Sequence, residues 1–547
     1  MTKTNRELPS NLSSLFSFAK QHSSFVIILI LSAFVKFSIT SPVVWMQDSV
    51  KYHVPLDVII KKNWCWITDT LNPSFITRVI YFVIQSFDNG SPEKIILFQK
   101  FLNILSTILF YLICLQLSKN KKNIALLATV IFSFDPLALF MEQTLMAETI
   151  FVFFSILSFL LFILVVESNS TKYTIVFALV LGIFSMIKDS SGLYLNLIYV
   201  FLLICALIWK NIISMKNLFL LILITQLLVL PLKFYNLKKF GIFANNRYQG
   251  TGAVLWFLTE EMLRSNPPQN NIWLTQYLLS TTEKFKSSFK IQNAKSSRQA
   301  FFAAVISINS PGRVGALAHP ETQKLLSSKE WNSIAVKYWL ETIIRNPQLS
   351  IKSLWVSVNE YLFTNNLYFK SDVLYSLKPE LNREFSFFTL VPFSLKNQFD
   401  PNLKNYQIIK PLFISETGNI FSDANLTTEF KNSYALMINT NTNYAFIIPE
   451  KGLSLQIQKT LYPFPLSKTV LPLFFIALLL FLLKHHSQYT LKELLIAWFL
   501  ISSSIFFLIL PILIHGEPRY QIQFTHLMIF FIVFVLSRYK DRLNKWL

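Results

Sequence analysis

The chain has 547 residues, 53% of them hydrophobic and only 14% charged, with a mean hydropathy of +0.45. A soluble chain carries about a quarter charged residues, so this composition excludes an ordinary soluble globular protein and points to burial in a bilayer. The net charge of +21, with no basic soluble module to carry it, excludes a nucleic-acid binder and reads as the cationic excess of a membrane protein.

The N-terminus is polar and basic (Lys3, Arg6, Lys20) and leads into an apolar run over 25–40, read as an uncleaved first span rather than a signal peptide. A helical span needs roughly 17–25 apolar residues. The pattern places spans at 24–40, 95–117, 123–140, 147–166, 173–188, 192–209, 217–235, 467–484, 492–513 and 520–537. That is about ten, with roughly 9–13 compatible with the hydropathy. The connections at 119–123, 167–172, 210–216 and 484–492 and the tail 538–546 are short and mostly lysine- or arginine-rich. The positive-inside rule therefore sets both termini in the cytoplasm.

Two substantial regions then fall outside. The first, 41–94, holds RVIYFVIQSF (78–87), too short to cross a bilayer and apolar enough to lie along its surface. The second, 236–466, is polar, with helical stretches at 330–345 and 349–363. Short Ile, Phe and Tyr runs over about 404–450, separated by Gly- and Asn-rich turns, read as strands. The expected fold is mainly α and polytopic: a transmembrane module over 1–235, a large outer α/β loop domain over 236–466 and C-terminal transmembrane helices over 467–547. Cys114 and Cys205 sit in apolar runs and Cys65 in the first outer region, so no disulfide framework or Cys-rich zinc site supports the large loop.

Ionisable groups beside spans are costly and default to function. Here they share one membrane face: Asp48 and Lys51 after span one, Glu142 and Glu148 before span four, Lys188 and Asp189 between spans five and six. Lys233, Lys238 and Lys239 leave span seven, and His515, Glu517 and Arg519 join spans nine and ten. Asp48 in WMQDSVKYH is either a catalytic base or a helix N-cap, with Tyr52 one turn on. Glu148 in LMAETIF is either a site carboxylate or an acid complementing a helix N-terminus. Lys188 either holds a phosphate or neutralises its neighbour Asp189. Arg519, with Tyr520, is either a forked phosphate donor or an interfacial anchor. His53 and His515 either join a metal site with the acids or are interfacial histidines, and the 53 phenylalanines read as packing for helices and lipid.

At these segments the chain resembles the GT-C superfamily of membrane glycosyltransferases, in the branch of dolichyl-phosphate-mannose–protein mannosyltransferases and their bacterial relatives. The similar elements, in order, are Asp48 with Tyr52, the acid at Glu148, and the span from Leu181-Gly182 to Lys188. PLKFYNLKKFGIFANNRYQGTGAVLW (231–256), IIRNPQLSIK (343–352) and EPRY (517–520) follow. Asp189 stands where the family often has proline, and 367–466 matches no family pattern.

The resemblance implies inverting transfer of one sugar from a polyprenyl-phosphate donor to a protein, lipid or glycan acceptor at the outer face. It implies Asp48 as base, Glu148 orienting a substrate, and Lys51, Tyr52, Lys188, Arg519 and Tyr520 binding substrate. A divalent cation, Mg²⁺ or Mn²⁺, shared by Asp48 and Glu148 would suit two carboxylates, although some members of the superfamily need no metal. Richness in Lys, Asn, Ile and Phe resembles a low-GC bacterium, so the expected place is the bacterial inner membrane. The rivals are an O-antigen-type polymerase or ligase, which calls for arginine-rich outer loops, and a transporter or flippase, which calls for midplane charges and internal repeats. A non-catalytic scaffold gives the clustered acids no purpose.

Overall fold

The computed structural model describes residues 20–38, 75–87, 92–208, 214–240, 243–245, 252–289, 328–362, 466–484, 489–514 and 518–546, besides isolated positions. All regular elements among the described residues are helical, the form in which a single segment satisfies its own backbone in lipid. The first group comprises α1 (Ser23–Ser38), α2 (Phe75–Ser86), α3 (Pro92–Leu117), α4 (Lys122–Ser133), α5 (Pro136–Met141), α6 (Glu148–Ser168), α7 (Thr171–Ser185), α8 (Asp189–Ile208) and α9 (Met215–Phe240). A 3₁₀ turn at Gly252–Phe257 leads to α10 (Glu260–Ser265), α11 (Ile272–Phe289), α12 (Ser328–Arg345) and α13 (Pro347–Leu362). The chain closes with α14 (Leu466–Lys484), α15 (Leu491–Ile514), a 3₁₀ turn at Pro518–Gln521 and α16 (Ile522–Trp546).

The protein is a polytopic membrane protein. Glu93–Leu117, Glu148–Ser168, Met215–Lys238, Leu491–Leu513 and Ile522–Tyr539 are long and apolar enough to cross a bilayer, and α1, α4, α7, α8 and α14 contribute shorter apolar segments. Nine expected spans coincide with single helices. The tenth, expected at 123–140, is two: α4 stops at Ser133, and Asp135 Oδ1 accepts the Leu137 N–H (3.2 Å) to cap α5 behind Pro136. Proline at the first helical position costs no hydrogen bond, so the break is local chemistry rather than a failure of hydropathy. Pro231 and Pro511 lie inside α9 and α15.

Interhelical contact depends on small and hydroxylated residues, as it must where lipid removes the hydrophobic drive to associate. A Cβ at Gly182 of α7 would stand 2.9 Å from Leu228 Cδ1 of α9, so the close approach of these helices needs glycine there. Ser155 pairs with His526 (2.8 Å), and Tyr194 with Ser503 (2.6 Å), across buried interfaces. Phenylalanines fill the rest of the seam: Phe110 stacks on Phe132 and Phe530, and Phe162 on Phe499.

The basic connections meet at one end of the bundle. There Lys122 donates to the Gln21 carbonyl (2.8 Å), Lys492 to that of Glu167 (2.6 Å), and Arg538 reaches Glu493 (2.9 Å) and the Leu117 carbonyl (2.7 Å). Asn217 at the start of α9 bonds Asn169 between α6 and α7. The described parts of the lysine-bearing loops thus share one face, the basic end, and the connections that carry Glu142, Glu148, Lys188 and Tyr520 lie at the other. The expected helices at 330–345 and 349–363 are α12 and α13. The first of these, with α10, α11 and the 252–257 turn, builds a second core around Phe257, Met262, Leu278, Trp331 and Tyr338. The expected strands over 404–450 lie outside the described residues.

Candidate functional site

Glu148 is the first residue of α6 and its side chain is fully buried. Lys188 sits 40 positions later, in the tight turn between α7 and α8, where Ser191 Oγ accepts the Lys188 N–H (3.0 Å) and donates to its carbonyl (2.6 Å). That turn aims the ammonium at Glu148: Lys188 Nζ stands 2.6 Å from Glu148 Oε1. On the other side the same ammonium lies 4.6 Å from the ring centroid of Tyr520, which the 3₁₀ turn before α16 brings in. Three sequence-predicted residues from three distant connections therefore meet around one cation.

Lys188 makes its short ion pair with Glu148, and the side chain of its neighbour Asp189 lies outside the described residues. The position of Glu148 in the first turn of α6 also complements the helix dipole, so that reading holds beside the ion pair. Glu148 Oε2 is buried with no hydrogen-bond partner among the described residues, as are Thr149 Oγ1, Glu142 Oε1 and both polar atoms of the Gln143 side chain. Buried polar atoms are seldom left so, and this connection is where a polar ligand would be received.

Helix α2 acts as a strap across the two connections. Tyr81 donates to the Met146 carbonyl (2.5 Å), two residues before Glu148. Thr77 donates to the Ile187 carbonyl (3.3 Å) and the Ile76 N–H to that of Met186 (3.2 Å), just before Lys188. The segment expected to lie on the membrane surface thereby fixes the separation of the ion pair's two backbones. From α3, Gln99 donates to the Thr144 carbonyl (2.7 Å) and Asn103 to Glu142 Oε2 (2.7 Å). From α1, Lys36 Nζ stands 3.7 Å from Glu142 Oε2 and donates to the Ser133 carbonyl (3.1 Å). Burial pushes the Glu142 carboxyl above its ordinary range, against the opposing pull of Lys36, Asn103 and Lys100.

Near the third corner, Ser190 donates to Gln523 (3.3 Å), the Gln521 side chain bonds the Tyr361 carbonyl, and Tyr361 donates to the Phe507 carbonyl (3.4 Å). The end of α13 is thus seated beside the turn that carries Tyr520.

Asp48, Lys51, Tyr52, His53, His515 and Glu517 lie outside the described residues, as does the side chain of Arg519, whose backbone falls in the 3₁₀ turn. Lys233 points along its own helix to Gln226 (2.7 Å) and lies over Phe243, so it does not join Lys188. Sequence reasoning missed Lys36, Lys100, Asn103 and Tyr81. Lys36 carried a usable signal, being a lysine inside an otherwise apolar first span. Among the described residues no cluster of three His, Cys, Asp or Glu could hold a metal, and Lys188 already occupies one oxygen of Glu148. The described residues by themselves do not make a divalent cage.

Residues 83–243 match the family model of dolichyl-phosphate-mannose-protein mannosyltransferase. The similarity runs from the end of α2 through α9 and includes Glu148, Lys188 and the first half of the 231–256 segment, which bears out the resemblance read from the motifs over that stretch. It leaves Asp48, Arg519 and Tyr520 outside. No curated protein matches the chain.

Proposed function

We propose that the protein is a membrane glycosyltransferase that moves a sugar, with inversion, from a polyprenyl-phosphate donor to an acceptor hydroxyl at the outer face of the membrane. The observation that carries this reading is the Lys188 ammonium held between Glu148 and Tyr520 at the end of the bundle, within a stretch that matches a mannosyltransferase family. A donor whose tail lies in the bilayer presents its phosphate and sugar at that depth.

In this scheme the acceptor oxygen attacks the anomeric carbon as the bond from that carbon to the phosphate oxygen breaks. The electron pair leaves with the phosphate, and the acceptor proton passes to Asp48 as general base. Lys188, with Arg519 from the adjoining turn, stabilises the charge that grows on the leaving phosphate. Such a fixed cation in a water-poor site lowers the barrier more than it would in bulk water. Glu148 holds the lysine in place before the donor arrives and orients the sugar or acceptor with its second oxygen. The positive-inside pattern supports a cytoplasmic basic end with this site outside, and the Lys, Asn, Ile and Phe richness supports the inner membrane of a bacterium.

The test is transfer of label from a radiolabelled polyprenyl-phosphate sugar to an endogenous acceptor fraction, using protein reconstituted in liposomes. Transfer is expected from the wild type and from no preparation of Asp48→Asn that inserts normally. Translocation of the labelled lipid without transfer, or chain extension on the carrier, would replace this reading with a flippase or a polymerase.

A further inference from the structure

A groove of about 590 Å³ opens among α1, α2 and α3, and its described lining includes neither Glu148 nor Lys188. Its volume lies within the roughly 300–1,000 Å³ typical of small-molecule sites. One wall is a stripe of α3: Lys94, Leu97, Phe98 and Phe101, spaced three and four residues apart and so on one helical face. Phe37 from the end of α1 and Ile84 with Phe87 from the end of α2 close the other sides. The aromatic and aliphatic lining is open rather than packed: Phe87 is 86% exposed, Phe101 55% and Leu97 49%.

The order of residues along the stripe decides what fits. Lys94 lies in the first turn of α3, at the end of the bundle where headgroups lie, and it is exposed. Glu93, half-buried, occupies the next face around the helix. Phe101 lies about 10 Å deeper along the axis, two turns toward the bilayer interior. A cation at the mouth followed by two turns of apolar wall matches the polarity profile of one lipid molecule, with phosphate above and chain below. We propose that this groove binds an anionic glycerophospholipid of the leaflet at the site end, its phosphate at Lys94 and one acyl chain along Leu97, Phe98 and Phe101.

The site is set apart from the donor's by its position. Lys188 lies in the turn between α7 and α8 and Tyr520 in the 3₁₀ turn before α16, whereas the groove belongs to α1, α2 and α3. The bound lipid would brace the outer faces of α2 and α3, whose inner faces hold the connection of Glu148 through Tyr81, Gln99 and Asn103. The assignment rests on the groove alone and does not require the transfer reaction.

Native mass spectrometry of the full chain, released from detergent containing equal phosphatidylglycerol and phosphatidylcholine, tests it. One phosphatidylglycerol is expected to stay bound to the wild type. Lys94→Gln should lower that retention about fivefold, equivalent to about 1 kcal/mol, the scale of one lysine near an anionic headgroup. Phe101→Ala should lower it as well. Both residues are exposed, so the fold tolerates the changes. Lys172→Gln at the basic end should leave retention unchanged. Equal retention of the two lipids, retention in Lys94→Gln as high as in the wild type, or one-for-one displacement by a polyprenyl phosphate would each overturn the proposal, the last by giving the groove to the donor.

Discussion

Lys188 Nζ and Glu148 Oε1 stand 2.6 Å apart across 40 residues of sequence, with the carboxylate side chain fully buried and the lysine side chain 14% exposed. Removing one partner of a buried pair leaves the other as an uncompensated charge, at a cost of about 3–5 kcal/mol. Lys188→Met is therefore expected to lower the thermal midpoint in detergent. Adding Glu148→Gln should recover most of that loss, because no charge is then left unpaired. Transfer should stay abolished in the double variant, since the cation proposed to face the leaving phosphate is gone. Wild-type turnover in that variant would assign the pair to architecture alone.

The Tyr520 ring lies against the same ammonium, and a desolvated cation–π contact contributes about 2 kcal/mol. Tyr520→Phe keeps the aromatic face and should retain most of the transfer rate. Tyr520→Leu keeps the bulk but not the π-face, so its rate should fall at least fivefold. Equal rates for the two variants, measured at saturating donor, would show that the ring acts by filling space.

The strap formed by α2 makes a separate prediction. Tyr81 donates to the carbonyl of Met146, and a buried carbonyl left without its donor costs about 1–3 kcal/mol. Tyr81→Phe removes that hydrogen bond and keeps the ring. It should reduce kcat several-fold with a smaller change in the KM for donor, because the Glu148 backbone is then free to shift from Lys188. A reduced melting temperature with unaltered kcat would confine Tyr81 to stability.

The membrane bundle was legible in the sequence because a lipid-facing helix has no alternative to apolar side chains, and the spans announce themselves by length. The gathering of Glu148, Lys188 and Tyr520 was legible only as a shared membrane face. Their pairing depends on the turn at Ser191 and on which helices are neighbours, and single-sequence hydropathy carries neither. The break at Asp135 was hidden because the residues on both sides are apolar, so the run 123–140 reads as continuous. Lys36 was overlooked for the opposite reason. A lysine near a span end usually reaches back to the interface, and only the fold shows that this one turns inward to Glu142.

Glu142 carries a pH signature. Burial, the largest influence, raises its carboxyl above the ordinary 4.5 despite the pull of Lys36. The folded protein then holds more protons at this position than the unfolded chain, so this group's contribution to stability is present below pH 4.5 and declines as pH rises toward the elevated folded value. Glu142→Gln removes the titration. The difference in thermal midpoint between wild type and Glu142→Gln should therefore shift against the wild type as pH rises from about 4.5. A difference that is flat with pH, or that moves in the wild type's favour, would mean that Lys36 and Asn103 outweigh burial.

The membrane side of the proposed site is open to direct labelling. Lys172, exposed in the first turn of α7, belongs to the basic end, where Lys122, Lys492 and Arg538 also converge. Ser280, exposed on α11, belongs to the region between α9 and α14 that connects at the opposite end. Under the positive-inside rule the basic end is cytoplasmic. A membrane-impermeant maleimide added to intact cells should then label Ser280→Cys and leave Lys172→Cys unlabelled until the membrane is opened. The reverse pattern would turn the protein over, and with it the compartment from which an acceptor could reach Lys188. The contacts within the bundle would be the same in either orientation, so this single measurement decides where the donor's phosphate must be presented.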